Sequence, residues 1–75
     1  MNYLYNQSTD IYSIHPQIVN DELMFTVISE HNNPIFSTDK YDEAHQKLVE
    51  ENEEKGYKLI KIYISNNIVH FKFSK

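Results

Sequence analysis

The chain contains no cysteine, no arginine and no tryptophan, and it has one glycine and two prolines among its 75 residues. Without cysteine, disulfide bonds cannot reinforce the small core of so short a chain, and a secreted disulfide scaffold is excluded. The same absence fits a reducing compartment, so we expect a cytoplasmic protein. No run of about 18 apolar residues occurs, and the N-terminus lacks the basic start and apolar run of a signal peptide. We therefore expect no membrane segment.

The missing arginine also bears on possible partners. Arginine is the residue that binds phosphates and guanine edges through two parallel hydrogen bonds, and nucleic-acid-binding domains carry clustered basic side chains. Here seven lysines face eleven carboxylates, which gives a formal net charge of −4. Direct binding of nucleic acid is therefore disfavoured. A single glycine also leaves no P-loop, dinucleotide fingerprint or nucleophile elbow.

Side chains able to hold a metal or to catalyse show no recognisable spacing. His15, His31, His45 and His70 include no H-x-x-x-H pair, and no cysteine can complete a zinc site. Carboxylates on an exposed helix face have no reason to shift their pKa toward the values that acid–base catalysis needs. A domain of this size also has little room for a substrate pocket. The sequence predicts no metal, no cofactor and a protein that binds rather than catalyses.

Hydrophobic patterning predicts one α+β domain spanning residues 1–75. Alternating or continuous apolar runs indicate strands at residues 10–15, 23–28, 35–36, 57–64 and 68–73, and a helix at residues 39–55 separates the third from the fourth. Pro16 restricts His15 to extended geometry and is expected to end the first strand. Residues 1–9 either fray or add an edge strand. We expect an antiparallel sheet of four to five strands with one helix packed on one face, in the order β-β-β-α-β-β, with the strand order in the sheet left open.

The helix has marked ends and two different faces. Ser37, Thr38 and Asp39 offer candidate N-cap oxygens, and Lys55 followed by Gly56 is a standard C-terminal signal. At about 100° per residue, one side is expected to pack against the sheet. That side comprises Tyr41, Ala44, His45, Leu48, Val49 and Asn52. The opposite side comprises Glu43, Gln46, Glu50, Glu53 and Glu54.

Negative charge is concentrated on this helix. Between residues 39 and 54 there are seven carboxylates and only two lysines, Lys40 and Lys47. One interpretation is a solvated face that keeps the protein soluble. The other is a contact surface, because carboxylates about 5 to 6 Å apart along helical turns approach the spacing of backbone phosphates. Such a row would be steered into a basic groove of another protein and would mimic DNA.

The acidic stretch Glu50-Glu51-Asn52-Glu53-Glu54 carries a resemblance. Together with the short length and a composition typical of AT-rich coding DNA (nine Ile, eight Asn, seven Lys and six Tyr), it resembles the small acidic proteins with which phages inhibit host DNA-handling machinery. These targets include polymerase clamps, nucleases and restriction systems. The resemblance implies an inhibitor that occupies the basic, DNA-binding surface of a larger host protein. The partner-contacting residues are then expected to be Glu43, Glu50, Glu51, Glu53 and Glu54.

The C-terminal hairpin suggests self-association. Strand alternation predicts Ile60, Ile62 and Ile64 on one face of the sheet, with Tyr57, Leu59 and Tyr63 on the other. One helix covers only one face, so we expect a homodimer that forms through the sheet edge or through the uncovered face. Its expected contact residues are Tyr57, Leu59 and Tyr63. The alternative function is thus a structural or regulatory homodimeric module that binds through this hairpin, with the acidic helix only a solvated face.

Overall fold

The computed structural model of the protein describes residues 9–75, which form five strands and one helix in the predicted order. The elements are β1 (Thr9–Val19), β2 (Glu22–Ser29), β3 (Pro34–Thr38), α1 (Tyr41–Glu54), β4 (Lys58–Ser65) and β5 (Ile68–Ser74). The predicted α+β class, with a five-stranded antiparallel sheet and one helix packed on it, is confirmed. The prediction that residues 1–9 either fray or add an edge strand concerns residues that, apart from Thr9, lie outside the described range.

Two tight turns define the hairpins β1–β2 and β4–β5. Asn20 and Asp21 have φ values of 51° and 63°, and Asn66 and Asn67 have values of 54° and 65°. Two-residue hairpin turns with positive φ at both positions match the right-handed twist of the flanking strands, and Asn and Asp adopt this conformation more readily than other residues with a side chain. The sequence therefore sets the register of both hairpins locally.

All pairings in the sheet are antiparallel, and the strand order is β3-β2-β1-β5-β4. The N-terminal and C-terminal strands, β1 and β5, are neighbours near the centre, where Ile14 pairs with Val69 and Tyr12 with Phe71. Among the described strands, β3 and β4 are the two edges. Because α1 connects these two edges, it must cross one face of the sheet.

Pro16 lies within β1 and does not end it. The strand continues to Val19, and Pro16 pairs with Phe25 of β2. The last residue of β1 that pairs with β5 is Ile14, so Pro16 lies beyond the reach of that neighbour. A missing N–H that faces no neighbouring strand costs no ladder hydrogen bond, which is why proline is tolerated at this position.

The beginning of α1 differs from the prediction. The N-cap is Lys40, with extended backbone angles and no side-chain capping hydrogen bond, so none of Ser37, Thr38 and Asp39 is the cap. Thr38 acts before the helix instead. Its Oγ1 accepts a hydrogen bond from the Lys40 N–H at 3.3 Å and donates one to Glu43 Oε1 at 2.9 Å.

The predicted end of α1 at Gly56 is confirmed. Gly56 has a φ of 89°, and its N–H donates to the Glu53 carbonyl at 3.0 Å. The Tyr57 N–H donates to the Asn52 carbonyl at 2.9 Å. These two bonds form a Schellman motif, which satisfies carbonyl groups that the last helical turn leaves without partners.

The core lies between α1 and the sheet face that it crosses. It consists of six buried apolar side chains: Ile14, Val27, Ala44, Leu48, Phe71 and Phe73. Aromatic edges close it, with Tyr12 5.8 Å from Phe73 and His45 5.0 Å from Phe71, both in T-shaped geometry. The predicted packing side of the helix is confirmed, since its members are buried, pack against the core or, for His45, contact Phe71.

A β-bulge in β4 changes which side chains share a face. Leu59 pairs with Phe73, and Lys61 pairs with Lys72, so Ile60 is an additional residue in this strand. An inserted residue interrupts the strict alternation of side chains between the two faces. Arguments from alternation therefore fail across Ile60.

The predicted grouping of the hairpin side chains is wrong for this reason. Tyr57 and Leu59 pack against the core on the helix side, and Ile62, which pairs with Phe71, lies on that side too. Tyr63 lies on the opposite face. The three proposed self-association residues thus do not form one surface.

The sheet face opposite α1, here called the open face, is polar at its centre and does not match the expected second apolar face. Ser13 Oγ and His15 Nε2 are 2.8 Å apart. Thr26 Oγ1 donates to Gln17 Oε1 at 2.9 Å and lies 2.8 Å from Ser37 Oγ. Hydrogen-bonded side chains of this kind need no covering layer, because they remain satisfied beside water.

Candidate protein-binding groove

A groove of about 610 Å³ runs between the edge strand β3 and helix α1. Its strand wall is formed by Phe36, Ser37 and Thr38. Its helix wall is formed by Glu43, Gln46, Lys47, Glu50, Glu51 and Glu54. These helical positions recur at intervals of three and four residues, so they form one stripe that extends from the first turn to the last. The volume is within the range of about 300 to 1,000 Å³ that is usual for ligand sites, so the expectation that a domain of this size has little room for a pocket is wrong.

Short polar contacts order the carboxylates at the first and middle turns of the wall. Glu43 accepts the hydroxyl hydrogen of Thr38 at 2.9 Å and lies 3.8 Å from the Lys40 ammonium, although that ion pair is exposed and contributes little. One helical turn separates Gln46 from Glu50, and the Gln46 amide donates to Glu50 Oε2 at 3.0 Å. The Thr38–Glu43 hydrogen bond thus joins the strand wall of the groove to the helix wall, while Glu50 is oriented by a side chain of its own helix.

A cation already occupies part of the groove. Lys47 Nζ lies 4.5 Å from the centroid of the Phe36 ring, within the distance at which an ammonium is attracted by an aromatic face. Among residues 9–75, the only ion pair within 4.0 Å is that between Lys40 and Glu43. The Lys47 ammonium therefore contacts the ring and forms no ion pair with the glutamates on either side of it.

The negative charge of the whole chain belongs to this helix and its flanks. Residues 39–55 contain seven carboxylates and three lysines, whereas the rest of the sequence contains four carboxylates and four lysines. With neutral histidines, the formal charge of −4 thus comes entirely from this segment. Four of these carboxylates and one lysine line the groove wall, so the wall carries a net negative charge.

Four of the five predicted contact residues line the groove: Glu43, Glu50, Glu51 and Glu54. Glu53 is exposed on α1 but is not part of the lining. Phe36 and Lys47 line the groove and were not predicted. Helical periodicity places Lys47 one turn after Glu43, so the sequence contains a signal for it. No local signal identifies Phe36, because its position depends on which strand the helix packs beside.

The Ser13–His15 contact on the open face was also not predicted, although alternation in a strand brings residues two apart onto one face. Ser13 is 7% exposed, so its hydroxyl is covered. Nearby, the rings of Tyr63 and His70 stack with centroids 5.0 Å apart, and Lys61 Nζ lies 5.3 Å from the Tyr63 ring. None of these side chains is a carboxylate, so this part of the open face differs from the acidic helix.

Two tyrosines have raised pKa values. Burial raises the pKa of the Tyr12 hydroxyl, and the neighbouring Asp10 carboxylate adds to the effect by disfavouring a second negative charge. Burial likewise raises the pKa of Tyr41, with a smaller contribution from Asp42. Both rings pack at the margin of the core, so these shifts reflect packing.

No family model, curated protein or solved structure gave a significant match to this chain. Within the part of the chain that the structure describes, no three His, Asp or Glu side chains converge as a metal site. The single described helix is neither long nor apolar enough to cross a membrane. Among the described residues, the groove is thus the structural feature that bears on function.

Proposed function

We propose that this protein is a non-enzymatic binding module that docks its acidic groove onto the basic, DNA-binding surface of a larger protein and thereby inhibits that protein. One observation carries the proposal. The helix that holds the entire negative excess of the chain also forms a wall of a groove of about 610 Å³. We place this activity in the cytoplasm, which the absence of cysteine favours.

The arrangement of carboxylates supports a cationic partner. Glu50 and Glu54 are one helical turn apart, about 6 Å along the axis at 1.5 Å per residue. This regular spacing is comparable with that of phosphates along a nucleic-acid strand. A partner that binds DNA through lysine and arginine would meet charges of the same sign at similar intervals, which supports DNA mimicry.

The Lys47–Phe36 contact supports the same conclusion. This groove accommodates an ammonium group over an aromatic ring at 4.5 Å, so a lysine or arginine from a partner fits the local chemistry. Glu50 and Glu54 lie on the same wall and supply the charge for further cations. The competing explanation is that the glutamates only keep the chain soluble, with function in a homodimeric module. If that explanation holds, cationic ligands should bind the groove no more tightly than they bind other acidic parts of the surface.

A matched pair of double variants tests the proposal. Glu50→Gln with Glu54→Gln removes two of the four carboxylates that line the groove, and Asp21→Asn with Glu22→Gln removes the same charge at the exposed β1–β2 turn. The probe is a short oligolysine peptide titrated into isotopically labelled protein and followed by NMR. We expect shifts centred on Phe36 and on the groove glutamates, and an affinity loss of about 10-fold for the groove variant alone. Equal losses in both variants, or shifts centred elsewhere, would refute a binding groove.

A second experiment addresses the class of partner. Proteins captured from a cell lysate on immobilised wild-type chain are challenged with duplex DNA and, separately, with a neutral polymer. We expect the captured proteins to be DNA-binding, to be released by DNA and to be absent from the groove double variant. Capture that DNA leaves unchanged would contradict DNA mimicry even if the groove binds oligolysine.

A further inference from the structure

We propose that β4 forms a symmetric homodimer in which residues 61–65 of two copies pair antiparallel about a twofold axis at Tyr63. The proposal concerns the sheet edge opposite the groove and does not depend on the function proposed above. It rests on three features of β4: an edge without a strand partner among residues 9–75, the direction of its backbone groups, and a side-chain order that is symmetric about Tyr63.

The two edges of the sheet are not equivalent. The β3 edge is five residues long, begins with Pro34, which has no N–H, and contains a register irregularity opposite Val27 and Ile28. Short length, proline and irregularities are devices that protect an edge from pairing with other chains. In β4 the bulge at Ile60 is confined to the beginning, and residues 61–65 pair regularly with β5. Lys61 is the one charged side chain in this half, so the regular half of β4 is the less protected edge.

The hairpin turn determines which backbone groups β4 presents to this edge. In a two-residue turn, the flanking residues Ser65 and Ile68 form a hydrogen-bonded pair, and such pairs recur at every second residue. Tyr63 therefore directs its N–H and C=O toward β5. Ile62 and Ile64 direct theirs away from β5, toward the open edge.

An antiparallel copy centred on Tyr63 uses all of these outward groups. Ile62 lies opposite Ile64 of the partner subunit, and the same pair recurs on the other side of the axis, which gives four backbone hydrogen bonds. Registers centred one residue earlier or later place Ile60 of the bulge or Asn66 of the turn in the ladder. Centring on Tyr63 is thus the register that fits the regular part of the strand.

Side chains are complementary in this register. Ile62 and Ile64 are 48% and 71% exposed in the single chain, and each would be covered by an isoleucine of the second copy. Cross-strand pairs of β-branched residues stabilise a sheet. Lys61 lies opposite Ser65 of the partner subunit, so no lysine faces a lysine. The segment Ile62-Tyr63-Ile64 has the same sequence in both directions. An antiparallel second copy therefore presents the same order of side chains, which favours a second copy of this chain as the partner.

The dimer closes on itself. Each copy uses its β4 edge once, and the two β3 edges become the outer edges of a ten-stranded sheet. The acidic grooves lie beside β3, so the dimer presents two grooves at its opposite ends. The polar open face is left uncovered, which agrees with its hydrogen-bonded side chains.

Sedimentation of two lysine variants tests the surface. Ile64→Lys and Ile18→Lys each add one charge at an isoleucine that is 71% exposed, the first on the β4 edge and the second on the β1–β2 hairpin. We expect the wild-type chain and Ile18→Lys to dimerise with rising concentration, and Ile64→Lys to remain monomeric with the same circular dichroism spectrum. A wild-type chain that is monomeric up to submillimolar concentration, or an equal effect of both substitutions, overturns the proposal.

Cross-linking of single cysteines tests the register. Tyr63→Cys places two thiols at the twofold axis, in a non-hydrogen-bonded pair whose Cα atoms are about 4.5 Å apart, which a disulfide can span. Ser65→Cys places its thiols four residues apart along the paired strands, about 13 Å. The chain has no other cysteine. We expect at least 10-fold faster disulfide formation for Tyr63→Cys under a mild oxidant, and equal rates exclude this register.

Discussion

Thr38 Oγ1 donates a hydrogen bond to Glu43 Oε1 at 2.9 Å and thereby joins the last residue of the edge strand β3 to the first turn of α1. The same hydroxyl accepts the Lys40 N–H at 3.3 Å. Since α1 has no side-chain N-cap, this threonine is the polar side chain that orders the entry into the helix. It also holds together the two walls of the acidic groove at their common end.

Replacing Thr38 with valine should lower the free energy of unfolding by about 1 kcal/mol. The substitution keeps the branched shape but removes both hydrogen bonds, each with a typical net contribution of about 0.5 to 1.5 kcal/mol before discounting for exposure. Urea denaturation measures the loss. Thr38→Ser keeps the hydroxyl and is expected to retain most of the stability, so a serine variant as unstable as the valine variant would show that the hydroxyl is not responsible.

Local sequence signals were sufficient for the packing side and the end of the helix and for the turn of the C-terminal hairpin. The packing stripe that includes Ala44 and Leu48 and the stop at Gly56 follow from helical periodicity and from the conformational freedom of glycine. Asn66 and Asn67 likewise determine their turn without help from distant residues. These features could be predicted because every group that decides them lies within a few residues along the chain.

Features that depend on distant partners could not be predicted. Pro16 remains inside β1 because β5 does not extend beside it, and Ile60 bulges because its neighbours Leu59 and Lys61 pair with the consecutive residues Phe73 and Lys72 of β5. The acidic stripe of the groove was visible in the sequence, whereas Phe36 was not, since its role depends on the path of α1 across the sheet. Pairing and packing between separate elements decide these positions, and strand alternation alone contains no information on them.

Asn52 should tolerate an apolar replacement better than a charged one. It is 2% exposed, its Nδ2 donates to the Leu48 carbonyl at 3.0 Å, and its Oδ1 has no hydrogen-bond partner among residues 9–75. Asn52→Asp removes the donor and places a carboxylate beside that carbonyl, so we expect a loss of at least about 3 kcal/mol at neutral pH. Asn52→Leu keeps the branched shape and removes the unpaired oxygen, but it adds volume at a buried position, so it should cost about 1 to 3 kcal/mol and less than Asn52→Asp.

The pH dependence of the Asn52→Asp variant provides a check on the cause. Burial raises the pKa of the new carboxyl above its unfolded value of about 3.9, so its neutral form is the one that the fold tolerates. The variant should therefore regain stability relative to wild type as the pH falls toward 4, measured by thermal unfolding at several pH values. A deficit that does not change with pH would mean that charge burial is not the cause.

Gly56 should be replaceable by asparagine at lower cost than by alanine. Its φ of 89° lies in the region that disfavours side chains, whereas a Cβ there would meet only Lys75 Cε at 3.8 Å, an ordinary contact. The cost of Gly56→Ala is then one of backbone conformation, about 1 to 2 kcal/mol. Asparagine adopts left-handed conformations more readily, so Gly56→Asn should lose less. Equal losses in chemical denaturation would indicate steric crowding instead.

Tyr12 should limit stability at alkaline pH. Burial and the Asp10 carboxylate raise the pKa of its hydroxyl in the folded chain above the value of about 10 in the unfolded chain. Well below pH 10 the phenol is neutral in both states, and its full contribution to stability is present. As the pH rises past 10, the unfolded chain releases its proton more readily than the folded chain, so stability falls until the folded pKa is passed.

The substitution Tyr12→Phe removes this proton and keeps the ring that packs edge-on against Phe73. Between about pH 9 and 11 the variant should lose less stability than wild type, measured by urea denaturation at each pH. Burial also raises the pKa of Tyr41, so Tyr41→Phe should act in the same direction and the double variant should have the flattest profile. The lysines and the remaining tyrosines are the same in all of these proteins, so their contributions to stability largely cancel in the comparison. A Tyr12→Phe profile as steep as that of wild type would show that the buried hydroxyl is not the group responsible.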